Sequence, residues 1–195
     1  MLIYRQIPVD ASTVSLELGE LLAWLPEWRR RYSLSYHRAI DQYLCARSYL
    51  LLTEILAEHF NVKKKPDFGY HSCGKPFLAG YPDIHFNFSH CCGGILCAVD
   101  HAPVGVDIEY IQFFDDLARD VLSDREYRDT ISSGTPEVRF TEYWTMKESR
   151  LKLEGTGLTD NIRNVLTGDG DVSFRLFRDE ERGLVSCIAT KNVNN

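Results

Sequence analysis

The sequence predicts an α+β protein in which a set of antiparallel strands lies between two long helical stretches. Three observations predict it. From Ser35 to about Phe60, Ile40, Leu44, Leu51 and Ile55 recur at helical steps, with Leu50, Leu52 and Leu56 widening the stripe. Between Ile84 and Glu109 the pattern changes to period two, with Ile84, Phe86 and Phe88 alternating with His85, Asn87 and Ser89, and Val104, Val106 and Ile108 alternating with Gly105, Asp107 and Glu109. Thr135-Pro136-Glu137 then supplies a cap, a proline at the first helical position and an acid in the first turn, opening a helix that should run to Glu154 and stop at Gly155.

In chain order, Met1 to Arg5 reads as a short strand and Ser15 to Trp24 as a helix ended before Pro26. A short helix or turn follows, carrying Arg29-Arg30-Arg31, the densest positive cluster in the chain. Such a run either holds phosphate or is a solvated patch. Ser33 or Ser35 is expected to cap the long helix, and Arg47 shares its apolar track, where a guanidinium needs an anion or a route to water. Asn61 to Gly80 reads as loop and short strand, punctuated by Pro66, Gly74 and Pro76. The strands ending at Ser89-His90, over Ile95–Val99, and over Val104–Glu109 are expected as one antiparallel meander whose face gathers Asn87, Ser89, Asp107 and Glu109. Phe113 to Val121 should be helical, Ser123-Asp124-Arg125-Glu126 has capping-box spacing, and Val172–Phe177 with Leu184–Ala189 reads as a hairpin.

At 195 residues the chain can bury roughly 70% of its unfolded surface, enough for one domain or two small halves. No apolar run approaches the ~18 residues of a membrane span. The N-terminus lacks a signal peptide's basic start and long apolar core, so a cytoplasmic protein is expected. The six cysteines show no CxxC spacing and are expected as reduced thiols, and His71, Cys73, His90 and Cys91 match no structural-zinc pattern. A formal charge of −6 argues against general nucleic-acid binding.

Asp107 and Glu109 share one side of their strand, roughly 6.5 Å apart along it. They either face water from a half-buried strand or hold a cation between them. Trp144, Glu148 and Lys152 stand four apart on one helical face, with Lys147 beside them. A divalent cation on Asp107, Glu109 and Glu148, with lysines and arginines nearby, suits magnesium and phosphates. That chemistry is metal-dependent phosphoryl transfer or hydrolysis.

Gly74-Lys75-Pro76, Phe86-Asn87-Phe88-Ser89-His90, Val104-Gly105-Val106-Asp107-Ile108-Glu109, and Trp144-Thr145-Met146-Lys147-Glu148-Ser149 with Lys152 and Gly155-Thr156-Gly157-Leu158 resemble, in order and spacing, the motif set of the Sfp-type 4'-phosphopantetheinyl transferases. The resemblance spans roughly Trp28 to Leu158. It implies two pseudo-symmetric halves, residues 1–103 and 104–195, each a small antiparallel sheet packed with a long helix, forming a monomer with a coenzyme A cleft between them. It also implies a reaction: the 4'-phosphopantetheine arm of coenzyme A passes to a serine hydroxyl of an apo acyl or peptidyl carrier protein, with magnesium, leaving adenosine 3',5'-bisphosphate.

By the same resemblance Asp107, Glu109 and Glu148 would hold magnesium against the pyrophosphate, and Lys152 would contact phosphate. Lys75 and Pro76 would lie by the adenine, Arg47, Ser89 and His90 would receive the 3'-phosphate, and Lys147 and Trp144 would sit near the pantetheine arm and cleft wall. Glu126 matches an acid sometimes assigned to catalysis, beside Glu148 and Lys152. Two departures stand out: Cys91-Cys92 where small polar residues are usual, and Arg150 where an apolar or aromatic residue is expected. A magnesium-dependent phosphodiesterase or nuclease, and a non-catalytic module that binds coenzyme A or a carrier, are the competing readings.

Overall fold

The computed structural model describes residues 1–157, 161–167 and 170–192. Leu158, the last residue of the glycine-rich motif after the second long helix, lies outside the described residues. The chain begins with β1 (Ile3–Pro8), α1 (Val14–Trp24), α2 (Glu27–Leu34) and α3 (Ala39–His59). Next come β2 (Phe68–Tyr70), β3 (Pro76–Leu78), β4 (His85–Cys91), β5 (Gly94–Asp100) and β6 (Val104–Tyr110). The last elements are α4 (Asp115–Val121), α5 (Asp124–Ser132), α6 (Pro136–Glu154), a 3-10 turn over Ile162–Asn164, β7 (Val172–Asp179) and β8 (Leu184–Lys191).

Two sheets repeat one topology. In the first, β5 lies between β1 and β4, and in the second, β8 lies between β6 and β7, all antiparallel. Each is strand, helix, hairpin, with the last strand in the middle. A two-stranded ribbon of β2 and β3 stands apart. The first core packs Leu44, Leu51, Leu52, Ile55 and Leu56 of α3 against Phe86, Ile95, Cys97 and Val99. A second core joins the sheets, with Leu96 and Ala98 of β5 against Val104, Val106 and Ile108 of β6 and Leu184 and Ile188 of β8.

The expected three-strand meander is corrected. β4 and β5 pair as expected, but β6 pairs with β8. The free edge of β5 is already taken by β1, in the register Ile3 opposite Val99 to Pro8 opposite Gly94. The chain therefore leaves β5 and starts a new sheet. The two sheets are tied where the Asn87 side-chain carbonyl accepts the Val106 N–H at 2.8 Å, and again where the Ser186 hydroxyl donates to Gln6 at 2.7 Å.

The cap of α3 is a second correction. Ser33 lies inside α2 and Ser35 ends it, while α3 starts after Arg38. The capping box forms as expected, with the Glu126 carboxylate accepting from the Ser123 N–H at 2.8 Å and the Ser123 hydroxyl accepting from the Glu126 N–H. Gly155 ends α6 at φ +71°, a left-handed conformation that glycine adopts without strain. All six cysteines are unpaired.

Candidate active site

The site begins with the closeness of β6 and α6. A Cβ at Gly105 would stand 2.0 Å from the Ser149 carbonyl oxygen and 2.3 Å from the Leu153 nitrogen, so only glycine lets the helix lie directly on the strand. Two residues on, Asp107 meets the helix at the level of Glu148 and Lys152. The Lys152 ammonium donates to Asp107 Oδ1 at 2.6 Å and to the Ser89 hydroxyl at 3.1 Å, and lies 4.0 Å from Glu148. Ser89 in turn donates to the same Asp107 oxygen at 2.9 Å. Asp107 Oδ2 is buried without a hydrogen-bond partner among the described residues.

This wall is short of positive charge. Burial and the Asp107 and Glu148 carboxylates push Glu109 up to about 7, against the pull of Lys152 and of a hydrogen bond from Trp144. Burial likewise raises Glu148, with Asp107 adding to it and Lys152 opposing. The acids are thus held together by the fold at an electrostatic cost, a pattern that marks functional sites.

Opposite stands the β2–β3 ribbon. Cys73, Gly74, Lys75, Pro76, Asn87 and Phe88 face Glu148, Leu151, Lys152, Gly155 and Gly157 across a cavity of about 260 Å3. A recess of about 200 Å3 adjoins it through the shared Gly74, Pro76 and Phe88, and adds Arg29, Tyr32, Tyr36 and His90. Burial lowers the His90 pKa, with the Lys152 and Arg29 charges adding to the effect. Arg29 is 4% exposed. Its guanidinium sits 5.2 to 5.9 Å from the rings of Tyr32, Tyr49, Phe68 and Phe88, donates to the Cys45 carbonyl at 3.0 Å, and leaves Nε unpartnered. Among the described residues it has no carboxylate partner. A buried, unpaired cation in a recess calls for an anion.

The expected site residues divide into two groups. Lys75, Pro76, Ser89, His90, Asp107, Glu109, Glu148 and Lys152 come together around the cavity and its recess. Arg47 does not join them. Its anion is Glu54, at 2.8 Å, and it lines a separate groove with Tyr43, Cys92 and Arg182. The arginine beside His90 is Arg29, from the run whose charge left phosphate binding and a solvated patch both open.

Lys147 and Glu126 also stand elsewhere. Lys147 is fully buried and donates to the Ile162 and Arg163 carbonyls at 2.9 and 3.0 Å and to Glu126 at 2.9 Å. One residue is about 100° around a helix, so Lys147 turns inward while Glu148 faces the cleft. Arg150 pairs with Glu154 at 2.9 Å and Asp171 at 3.3 Å.

Residues 103–190 match the model of the 4'-phosphopantetheinyl transferase superfamily. The chain is 32% identical to a 4'-phosphopantetheinyl transferase of Bacillus subtilis over 96% of its own length and 90% of the relative's. The chain belongs to this family. It is also 32% identical to 4'-phosphopantetheinyl transferase Sfp of Bacillus subtilis (strain 168), covering 77% of this chain and 70% of that one, and 30% identical to 4'-phosphopantetheinyl transferase psf-1 of Bacillus pumilus, covering 87% and 76%. As a 4'-phosphopantetheinyl transferase it is a transferase that modifies carrier proteins, which sets aside the phosphodiesterase and the non-catalytic module. No described helix is long and apolar enough to cross a membrane.

The donor set of this transferase fits magnesium. Its oxygens are hard, and Asp107 Oδ2 is a buried acceptor without a donor. Among the described residues no three acidic, histidine or cysteine side chains are grouped closely enough to hold a metal by themselves. Magnesium commonly takes only one or two carboxylates and completes its shell with phosphate oxygens and water.

Proposed function

We propose that this cleft binds coenzyme A with magnesium and passes the 4'-phosphopantetheine arm to a serine hydroxyl of an apo acyl or peptidyl carrier protein, releasing adenosine 3',5'-bisphosphate. The observation that carries the reading is the Lys152 ammonium held between Asp107, Ser89 and Glu148 on a cavity walled by the β2–β3 ribbon, β4 and the end of α6. In this reading residues 1–103 supply the nucleotide side and 104–195 the pyrophosphate side. The enzyme acts as a cytoplasmic monomer, in keeping with its unpaired thiols.

One or two of Asp107, Glu109 and Glu148 would hold the magnesium together with phosphate oxygens and water, and the metal would supply polarisation of the phosphoryl group and charge neutralisation at the leaving oxygen. Lys152 binds a phosphate oxygen and keeps Asp107 oriented through Oδ1. Glu148, whose carboxylate faces the cleft beside Lys152, accepts the proton of the incoming serine. The attacking hydroxyl belongs to the carrier, so no nucleophile of this chain is required.

At the nucleotide end Pro76 lies by the adenine, and His90, Ser89 and Arg29 receive the 3'-phosphate. Arg47, spent on Glu54, takes no part there. Glu126 holds Lys147, and together they fix the start of α5 against residues 161–165.

The test is intact mass. An apo carrier protein incubated with the enzyme, magnesium and coenzyme A should gain the mass of one phosphopantetheine arm. A panel of acyl and peptidyl carriers would place its preference. Dephospho-coenzyme A should bind more weakly than coenzyme A by ~1.5 to 3 kcal/mol for each charge-assisted hydrogen bond lost, and Arg29→Met or His90→Ala should narrow that gap while Arg47→Ala leaves it. Carriers that gain no mass while coenzyme A is hydrolysed would overturn the reading.

A further inference from the structure

The C-terminal end of α6 is closed by a residue from the other sheet's side of the molecule. A helix ends with carbonyls that have no partner within it. Here the Leu151 carbonyl accepts from the Gly155 N–H at 2.8 Å and the Thr156 N–H at 3.3 Å, through the left-handed turn at Gly155. The next two, of Lys152 and Leu153, accept from the Lys75 ammonium, which also donates to the Val104 carbonyl at the start of β6 at 3.2 Å. All the acceptors are neutral carbonyls, gathered at the negative end of the helix dipole. The Lys75 stem reaches them over Gly155, where a Cβ would stand 3.4 Å from Lys75 Cδ and 3.4 Å from Cys73 Sγ.

Lys75 is the middle residue of Gly74-Lys75-Pro76, one wall of the cleft. Lys152 and Glu148, on the helix it grips, are the other wall. We infer that Lys75 is a positioning residue: its ammonium latches the nucleotide-side loop to the last turn of α6, and so sets Lys152 and Glu148 at the correct distance from whatever lies against Pro76. The inference rests on the coenzyme A reading of the cleft and changes one part of it, because an ammonium spent on carbonyls of α6 and β6 is withheld from the adenine. Partial burial lowers the Lys75 pKa, as expected for an ammonium with no carboxylate against it among the described residues.

The experiment separates the two ends of the cleft in Lys75→Met, which keeps the stem and removes the charge. The dissociation constant for adenosine 3',5'-bisphosphate is measured by calorimetry, and kcat at saturating coenzyme A and carrier by carrier mass. The latch predicts binding within about threefold of wild type and kcat down roughly a hundredfold, the size of effect that a displacement of about 1 Å produces. Binding weakened roughly tenfold or more with kcat kept would make Lys75 a nucleotide ligand and overturn the latch. Binding and kcat both unchanged, with only the melting temperature lowered, would leave it a stabilising contact and also overturn it. If Lys75→Met does not fold, Lys75→Gln keeps one donor to the carbonyls, and the same split between kcat and binding is required of it. A wild-type enzyme that modifies carriers but does not bind adenosine 3',5'-bisphosphate would count against the nucleotide reading alone, with the kcat ratio still deciding the latch.

Discussion

The two sheets follow the same path through the chain, yet their helices are built for different ends. Helix α3 presents Leu44, Leu51, Leu52, Ile55 and Leu56 to its sheet, an apolar face that serves packing. Helix α6 buries Thr141, Glu142, Thr145, Lys147 and Ser149 alongside Phe140, Leu151 and Leu153. Small and polar residues do not fill a wide gap between helix and sheet. They allow a narrow one, and at Gly105 the helix backbone touches the strand. The comparison teaches that one architecture can hold its helix by apolar volume on one side and by closeness and polar partners on the other. The second arrangement brings two carboxylates of β6 to a carboxylate and an ammonium of α6.

The sharpest way to break this comparison is to force the close contact apart. Gly105→Ala should cost at least ~3 kcal/mol, since its Cβ meets backbone that cannot rotate away. A thermal melt should fall by roughly 6 °C or more, and transfer should be lost even below the melt because Asp107 moves from Lys152. Leu52→Ala on the apolar side should cost a comparable ~2 to 5 kcal/mol and leave turnover intact at low temperature. Equal loss of turnover from both would erase the distinction.

Next in size is the pair Glu126 and Lys147. Glu126→Gln keeps the capping box but leaves a fully buried ammonium without its counter-charge, which should cost ~3 to 5 kcal/mol. Adding Lys147→Met should recover most of the melting temperature, and turnover of the double variant well below its melt should stay within about tenfold of wild type. An unchanged melt with transfer abolished in Glu126→Gln would instead make Glu126 the base.

The smallest effect is the pH dependence of Glu109. Its folded-state pKa is raised to about 7, above the ordinary 4.5. Between these values the folded protein keeps a proton that the unfolded chain has released, so stability falls as pH rises through the interval. Glu109→Gln should therefore melt higher than wild type at pH 8 without magnesium, and much less so near pH 5. A difference that is the same at both pH values would mean that Glu109 is not strained by its neighbours.

Much of this was legible in the sequence because it is local. The apolar stripe of α3, the capping box at Ser123, the proline start and glycine end of α6, and the spacing of Glu148 and Lys152 all follow from the rules of a single element. The partner of β6 was not legible, since period two fixes which face a residue takes but not which strand lies beside it. The run Arg29-Arg30-Arg31 was legible as either a phosphate holder or a solvated patch, and charge alone could not single out Arg29, whose buried face is shared by Ser33 four residues on. Gly105 gave a usable signal: an isolated glycine in a strand often marks a close backbone approach. Arg47 was read as needing an anion, which the resemblance made the 3'-phosphate, whereas its partner is Glu54, about two turns along the same helix.

The central claim is that transfer takes place on the wall formed by Asp107, Glu148 and Lys152, with Glu148 taking the serine proton. A single-turnover measurement with Glu148→Gln, at saturating coenzyme A, magnesium and apo carrier, tests it most directly. With the melting temperature kept, carrier modification should slow by roughly a hundred- to ten-thousandfold. A variant that modifies the carrier within a few-fold of the wild-type rate would contradict it.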